Sequence, residues 1–211
     1  MTIHFLGDSI TEGWGASVED TPYIRRFAKE FPSVTIKNYG RWGTRIARQK
    51  EPSKELCMDN DFVMRVDEMD DDADIIVVFG GTNDFMHGDA AFGEIGDKTE
   101  WSFCGAVALL YEKLLAKFPS AKIIVMTPTH RTNEGYINMH GKCLADYVEA
   151  IKLIAKQYSL MVVDLFVDSV FSGDLTKDDK CYLFDSVHPN DDGHYKIFEA
   201  LKNFIYQENL I

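Results

Sequence analysis

Five short apolar runs punctuate the chain, and segments of helical periodicity lie between most of them. The runs are Ile3-Leu6, Val34-Lys37, Ile75-Phe79, Lys122-Met126 and Met161-Asp164. Their β-branched content and lack of strict alternation suit parallel strands covered on both faces. Tyr23-Phe31, Trp101-Phe118 and Asn138-Tyr158 read as amphipathic helices between them, Asp192-Tyr206 reads as a closing helix, and Thr21-Pro22 offers a start for the first. This alternation predicts an α/β fold: a three-layer α/β/α sandwich on a five-stranded parallel sheet. Right-handed crossovers make the flavodoxin-like strand order 2-1-3-4-5 the simplest for five strands. No repeat, low-complexity stretch or linker divides the sequence, and 211 residues fall below the roughly 250 at which one core stops growing, so residues 1–211 read as one domain.

The formal net charge of -12 disfavours nucleic acid and anionic membrane surfaces as partners. No apolar run approaches the roughly 20 residues that cross a bilayer, so stable membrane insertion is not expected. Met1 runs almost directly into the first apolar segment without a basic leader, which points to the cytoplasm. Four cysteines, Cys57, Cys104, Cys143 and Cys181, form no Cys-x-x-Cys pair and read as reduced thiols, with Cys104 and Cys143 facing the core from helices. The acidic cluster Asp67-Glu68-Met69-Asp70-Asp71-Asp72 reads as a solvated connection rather than a metal site, because no histidine or oxygen-ligand pattern accompanies it. Oligomeric state is not legible.

In a 2-1-3-4-5 sheet the loops after the first three strands open beside one another, at the edge where open α/β sheets bind their ligands. They carry Gly7-Asp8-Ser9-Ile10-Thr11-Glu12-Gly13, then Asn38-Tyr39-Gly40-Arg41-Trp42-Gly43, then Gly80-Gly81-Thr82-Asn83-Asp84. Ser9 stands where a nucleophile or a helix cap would stand, and Asp8 reads as a turn residue that bonds local N–H groups. Late in the chain, Phe184-Asp185-Ser186-Val187-His188-Pro189-Asn190 sets a carboxylate three residues ahead of an imidazole, just before the last helix. A serine, a base, a carboxylate that orients the base, and donors for a developing oxyanion are the parts that acyl transfer requires.

These segments together resemble the SGNH hydrolases, the GDSL family of esterases and lipases. All four of that family's sequence blocks are present in order: Gly7-Asp8-Ser9-Ile10, Asn38 through Gly43, Gly81-Thr82-Asn83-Asp84, and Asp185-Ser186-Val187-His188-Pro189. The resemblance implies Ser9 as nucleophile, His188 as base and Asp185 as its orienting carboxylate. It implies an oxyanion hole made from the Ser9 N–H, a glycine N–H of the second block and the Asn83 side-chain amide. Arg41 and Trp42 replace the small residues usual in that block, which leaves both Gly40 and Gly43 as candidates; Gly43 closes the block and is preferred.

Trp14, Trp42, Phe85, His87 and Trp101 lie in or near these loops, and His130 and Arg131 leave the fourth strand at the same edge. Of these, Trp14, Trp42, Phe85, His130 and Arg131 are the candidate substrate-binding residues, the aromatics as surfaces for a sugar or an acyl chain. His194 lacks a carboxylate at a useful offset and reads as an exposed helical residue. No Gly-x-Ser-x-Gly elbow, P-loop, dinucleotide glycine motif or His-Glu-x-x-His occurs, and nothing calls for a metal or cofactor. The sequence thus points to a serine esterase acting on a small-molecule or carbohydrate ester, such as an O-acetylated carbohydrate. A lysophospholipase or acyl-thioesterase is the alternative, and a catalytically silent binding module a third.

Overall fold

A computed structural model describes residues 1–167 and 182–211. Five parallel strands, β1 (Thr2–Gly7), β2 (Thr35–Gly40), β3 (Ile75–Phe79), β4 (Lys122–Met126) and β5 (Met161–Val163), lie in the order β2-β1-β3-β4-β5 expected from the alternation. Leu6, Ile76, Val78, Ile123 and Val125 project into one apolar layer, while Ile3, Phe5, Ile75, Val77, Phe79, Ile124 and Met126 project into the other. Both faces of β3 are covered, so its sequence runs apolar without a polar phase. The edge strand β2 departs from this, with every residue exposed or half-buried.

Helices α2 (Tyr23–Glu30) and α7 (Asp191–Gln207) pack together over one face, and α5 (Phe103–Lys117) and α6 (Leu144–Gln157) over the other. Three single-turn helices, α1 (Ser9–Glu12), α3 (Phe62–Arg65) and α4 (Thr82–His87), decorate the loops. Among the described residues no helix is long and apolar enough to cross a membrane.

Several boundaries differ from the sequence reading, each for a local reason. Strand β2 runs three residues further, to Gly40, because the ladder continues through Leu6 opposite Tyr39 and Gly7 opposite Gly40. Helix α6 starts at Leu144 rather than Asn138. The Asn138 carboxamide instead folds the preceding segment into a turn, its Oδ1 accepting from His140 N and Lys142 N and its Nδ2 donating to Phe85 O and Tyr147 Oη. Cys143 therefore caps α6, half-buried, instead of facing the core, and its N–H donates to Asp146 Oδ2 at 2.8 Å. Cys104 is buried on α5 as expected, Cys57 is exposed, and Cys181 lies outside the described residues.

The acidic connection is exposed but not merely solvated. Asp70 and Asp72 pair with Lys37 on β2, Asp67 with Lys113 and Asp71 with Lys117 on α5. Such exposed pairs each contribute little, typically ~0–1 kcal/mol. Their effect is to set the entry into β3 against its neighbours.

Candidate active site

Ser9 follows β1 by two residues, and its placement begins with Asp8. Asp8 adopts extended backbone and caps α1, its Oδ1 accepting from Ile10 N at 3.0 Å, which is the turn role read from the sequence. Ser9 is thus the first residue of α1 rather than its cap, and its N–H has no acceptor within the helix. The residue is 5% exposed.

His188 arrives from the other end of the chain on a tight loop. A bridge between Leu183 and Pro189 and the bond from Phe184 N to His188 O close it. Inside, Asp185 Oδ1 accepts from Val187 N at 2.7 Å and His188 N at 2.8 Å, and Oδ2 meets His188 Nδ1 at 2.7 Å. A carboxylate only accepts, so the ring proton sits on Nδ1 and Nε2 is left as an acceptor. Ser9 Oγ lies 2.9 Å from that Nε2 and donates to it. Partial burial by itself raises the Asp185 carboxyl, but the bonds from His188 and Val187 outweigh it and hold the group below the usual carboxylate range.

The two glycines of the second block differ in what their N–H groups meet. Gly40 is a β2 residue whose N–H donates to Asn38 Oδ1 at 2.7 Å. Gly43 lies beyond the strand at φ +68°, and a Cβ there would meet the Met58 side chain at 2.6 Å. Its N–H has no acceptor among the described residues. Asn83 is buried on α4, and its Nδ2 donates to Thr44 O at 3.0 Å. An amide nitrogen carries two hydrogens, so one is left over.

These groups meet in one cavity of about 150 Å³, lined by Ser9, Trp14, Trp42, Gly43, Met58, Asn83, His87 and His188. Trp14 and Trp42 stack with ring centres 6.1 Å apart, and Trp14 lies tilted 5.7 Å from the His188 ring. The Trp42 N–H is tied to Glu12 Oε2 at 2.7 Å. His87 lines the same cavity, and burial together with the nearby Arg131 and Arg45 charges lowers its pKa. Met58 was not legible in the sequence; it comes from a short 3-10 turn (Leu56–Asp59) after β2, too brief for any periodicity to mark which side chains turn inward.

Three other candidates are not brought into this cavity. Phe85 is buried against Tyr147. His130 is buried too, its Nδ1 bonded to Glu134 and its ring stacked on Phe166 at 4.1 Å. Arg131 turns inward to donate to Thr82 Oγ1 at 2.9 Å. Trp101 is exposed beneath the Arg48 guanidinium, away from the cavity lining.

His194 overturns its sequence reading as an exposed helical residue. The Asn190 cap, accepting from Asp192 N and Gly193 N, starts α7 so that His194 faces α2, fully buried and stacked on Tyr23. Its Nδ1 faces Tyr23 N at 3.4 Å and its Nε2 donates to Trp14 O at 3.0 Å. Burial pushes its pKa down to about 4, so it is a neutral strut beneath the tryptophan wall.

The same fold occurs in other proteins of solved structure. The chain is similar to a solved protein from Lactobacillus plantarum at 27% identity, with a TM-score of 0.82 over 98% of this chain and 96% of that one. A possible lipase from Chitinophaga pinensis shares the fold at 19% identity and a TM-score of 0.77, covering 100% and 99% of the two chains. An acetyl xylan esterase does so at 19% identity and 0.71, covering 97% and 100%. No curated protein matches the chain. The model of the GDSL-like lipase/acylhydrolase family matches residues 5–196. With that match spanning the β1 serine loop through the His188 loop, the chain belongs to the GDSL-like lipase/acylhydrolase family and is an ester-hydrolysing enzyme.

Proposed function

We propose that residues 1–211 act as one serine acylhydrolase domain that cleaves short acyl esters, O-acetylated carbohydrates foremost, through an acyl-Ser9 intermediate. The hydrogen-bonded line from Asp185 through His188 to Ser9 carries this reading. In it, His188 Nε2 takes the Ser9 proton as Oγ bonds to the acyl carbon. The carbonyl oxygen becomes an oxyanion and meets the N–H groups of Ser9 and Gly43 and the second amide hydrogen of Asn83. Asp185 keeps the ring oriented through its bond to Nδ1–H, and His188 then gives its Nε2 proton to the departing alcohol. A water deprotonated by the same nitrogen attacks the acyl carbon, and collapse of that second tetrahedral adduct returns Ser9 and releases the acid.

The cavity volume supports the short acyl group. About 150 Å³ is well below the ~300–1,000 Å³ of sites that enclose drug-sized ligands. For the alcohol, the stacked Trp14 and Trp42 offer a flat apolar wall at the mouth, Trp14 being 49% exposed. Sugar rings bind to such faces through their C–H surface, and the acetyl xylan esterase that shares the fold supports the same substrate class.

The test is a panel that varies acyl length and alcohol independently. Acetyl esters are expected to exceed palmitoyl esters in kcat/KM by at least tenfold, and Ser9→Ala is expected to abolish turnover with an unchanged melting profile. Equal rates on acetyl and palmitoyl esters would sink the short-acyl assignment. A Ser9→Ala variant that still hydrolyses esters would sink the mechanism.

A further inference from the structure

Arg65, the last residue of α3, is 2% exposed, and among the described residues no carboxylate lies within 4.0 Å of its guanidinium. A buried cation with no carboxylate in direct contact is costly and calls for a reason. Its partners are neutral acceptors from three separate segments. Nη1 donates to Gly7 O at 3.1 Å, at the end of β1, and to Thr44 Oγ1 at 2.9 Å; Nη2 donates to Tyr39 O near the end of β2. A planar fork of fixed donors suits this three-way junction, whereas an ammonium does not reproduce it.

Thr44 relays the contact. Its Oγ1 accepts from Arg65 and donates to Arg41 O at 2.7 Å, while its carbonyl accepts the Asn83 amide at 3.0 Å. From the opposite side Asp84 accepts from Ile46 N at 3.0 Å and Ala47 N at 2.9 Å. The segment is therefore held at Thr44 by a buried cation and at Ile46 and Ala47 by a buried anion, and Gly43 directly precedes the first of these grips. The mechanism above uses neither charge.

We propose that Arg65 is a positioning residue for the oxyanion site, acting through Thr44 to fix the Gly43 N–H and the Asn83 amide at their working separation. This rests on the reading of Ser9, Gly43 and Asn83 given above. Donors that are pre-set for an oxyanion act on the transition state and leave ground-state binding nearly untouched. A residue that merely holds the fold together does not make that distinction.

The experiment compares full-length wild type with Ser9→Ala, Thr44→Val, Arg65→Met and Arg65→Lys, each first checked by thermal melting. It measures kcat and KM for 4-nitrophenyl acetate, and the affinity for a small boronic acid that forms a tetrahedral adduct on the serine oxygen. Thr44→Val keeps the arginine and nearly the same side-chain volume but removes the relay. It is expected to lower kcat about tenfold or more with KM within twofold, and to weaken boronate affinity by a similar factor. Arg65→Met is expected to lose more, and Arg65→Lys to recover only part of that loss. If Arg65→Met does not fold, Thr44→Val decides alone. A folded Thr44→Val with wild-type kcat and boronate affinity, or one whose loss appears in KM, overturns the proposal. Should that happen while Ser9→Ala is inactive, the Arg65 assignment fails alone; activity surviving in Ser9→Ala overturns the underlying reading and this one with it.

Discussion

Asn83 illustrates how much a single side chain is asked to do. One amide hydrogen fixes it to Thr44 O and, in the proposed mechanism, the other is left for the reacting oxygen, so its orientation is set before substrate arrives. Asn83→Ala is expected to lower kcat by roughly 100-fold or more, the usual loss for one oxyanion donor, with KM little changed; steady-state kinetics on an acetyl ester check it. At this scale the sequence was most informative where chemistry demands a local motif. Asp185 and His188 sit three apart because a carboxylate that accepts two backbone N–H groups and one ring N–H needs that spacing. His194 was misread because nothing in its own neighbours says which way a helix will face once Asn190 has capped it. Phe85, His130 and Arg131 were placed at the right edge of the sheet, but position along the chain does not show that each has an internal partner.

The elements meet at glycines that leave no room for a side chain. Gly15 has φ +90°, and a Cβ on it would lie 2.2 Å from Pro189 O and 3.0 Å from His188 Cβ. The turn after α1 therefore rests directly on the loop that presents the imidazole. Gly15→Ala forces that contact open as well as straining the backbone. A loss of about 1–3 kcal/mol is expected, together with a fall in kcat, read from denaturant melts and from kinetics at a temperature where the variant is folded. Elements with a strong apolar period, such as β3, β4 and α5, were legible because burial dictates their composition. The start of α6 was not, because the Asn138 carboxamide competes with helix continuation and wins through four hydrogen bonds.

Across the whole molecule, strand order followed from alternation and handedness alone, since few topologies let five parallel strands be covered on both faces. The same covering buries titratable groups. Asp8 and Asp84 are both raised to about 6, mainly by burial, against which their backbone N–H donors act. A carboxyl raised on folding contributes stability that is fully present below its ordinary pKa, near 4, and lost as pH climbs through about 6. His194, lowered to about 4 by burial, contributes the opposite way: present above its ordinary 6.5 and lost as pH falls through about 4. Asp8→Asn keeps an oxygen for Ile10 N while removing one raised carboxyl. Relative to wild type it is expected to gain stability as pH rises from 4.5 to 7.5, by as much as about 2 kcal/mol. Denaturant unfolding at three pH values in that window checks it, and a pH-independent difference would contradict the burial assigned to Asp8.

The bond between Ser9 and His188 joins residues 179 positions apart. It exists only once β1 lies in the sheet and α7 has docked on α2. During synthesis Ser9 emerges 179 residues ahead of His188, and the proposed nucleophile stays without its base until that length of chain has followed. Hydrolysis of a chromogenic acetate is therefore a reporter of completed folding: in a refolding experiment, activity returns no earlier than the slowest step that seats the C-terminal helix.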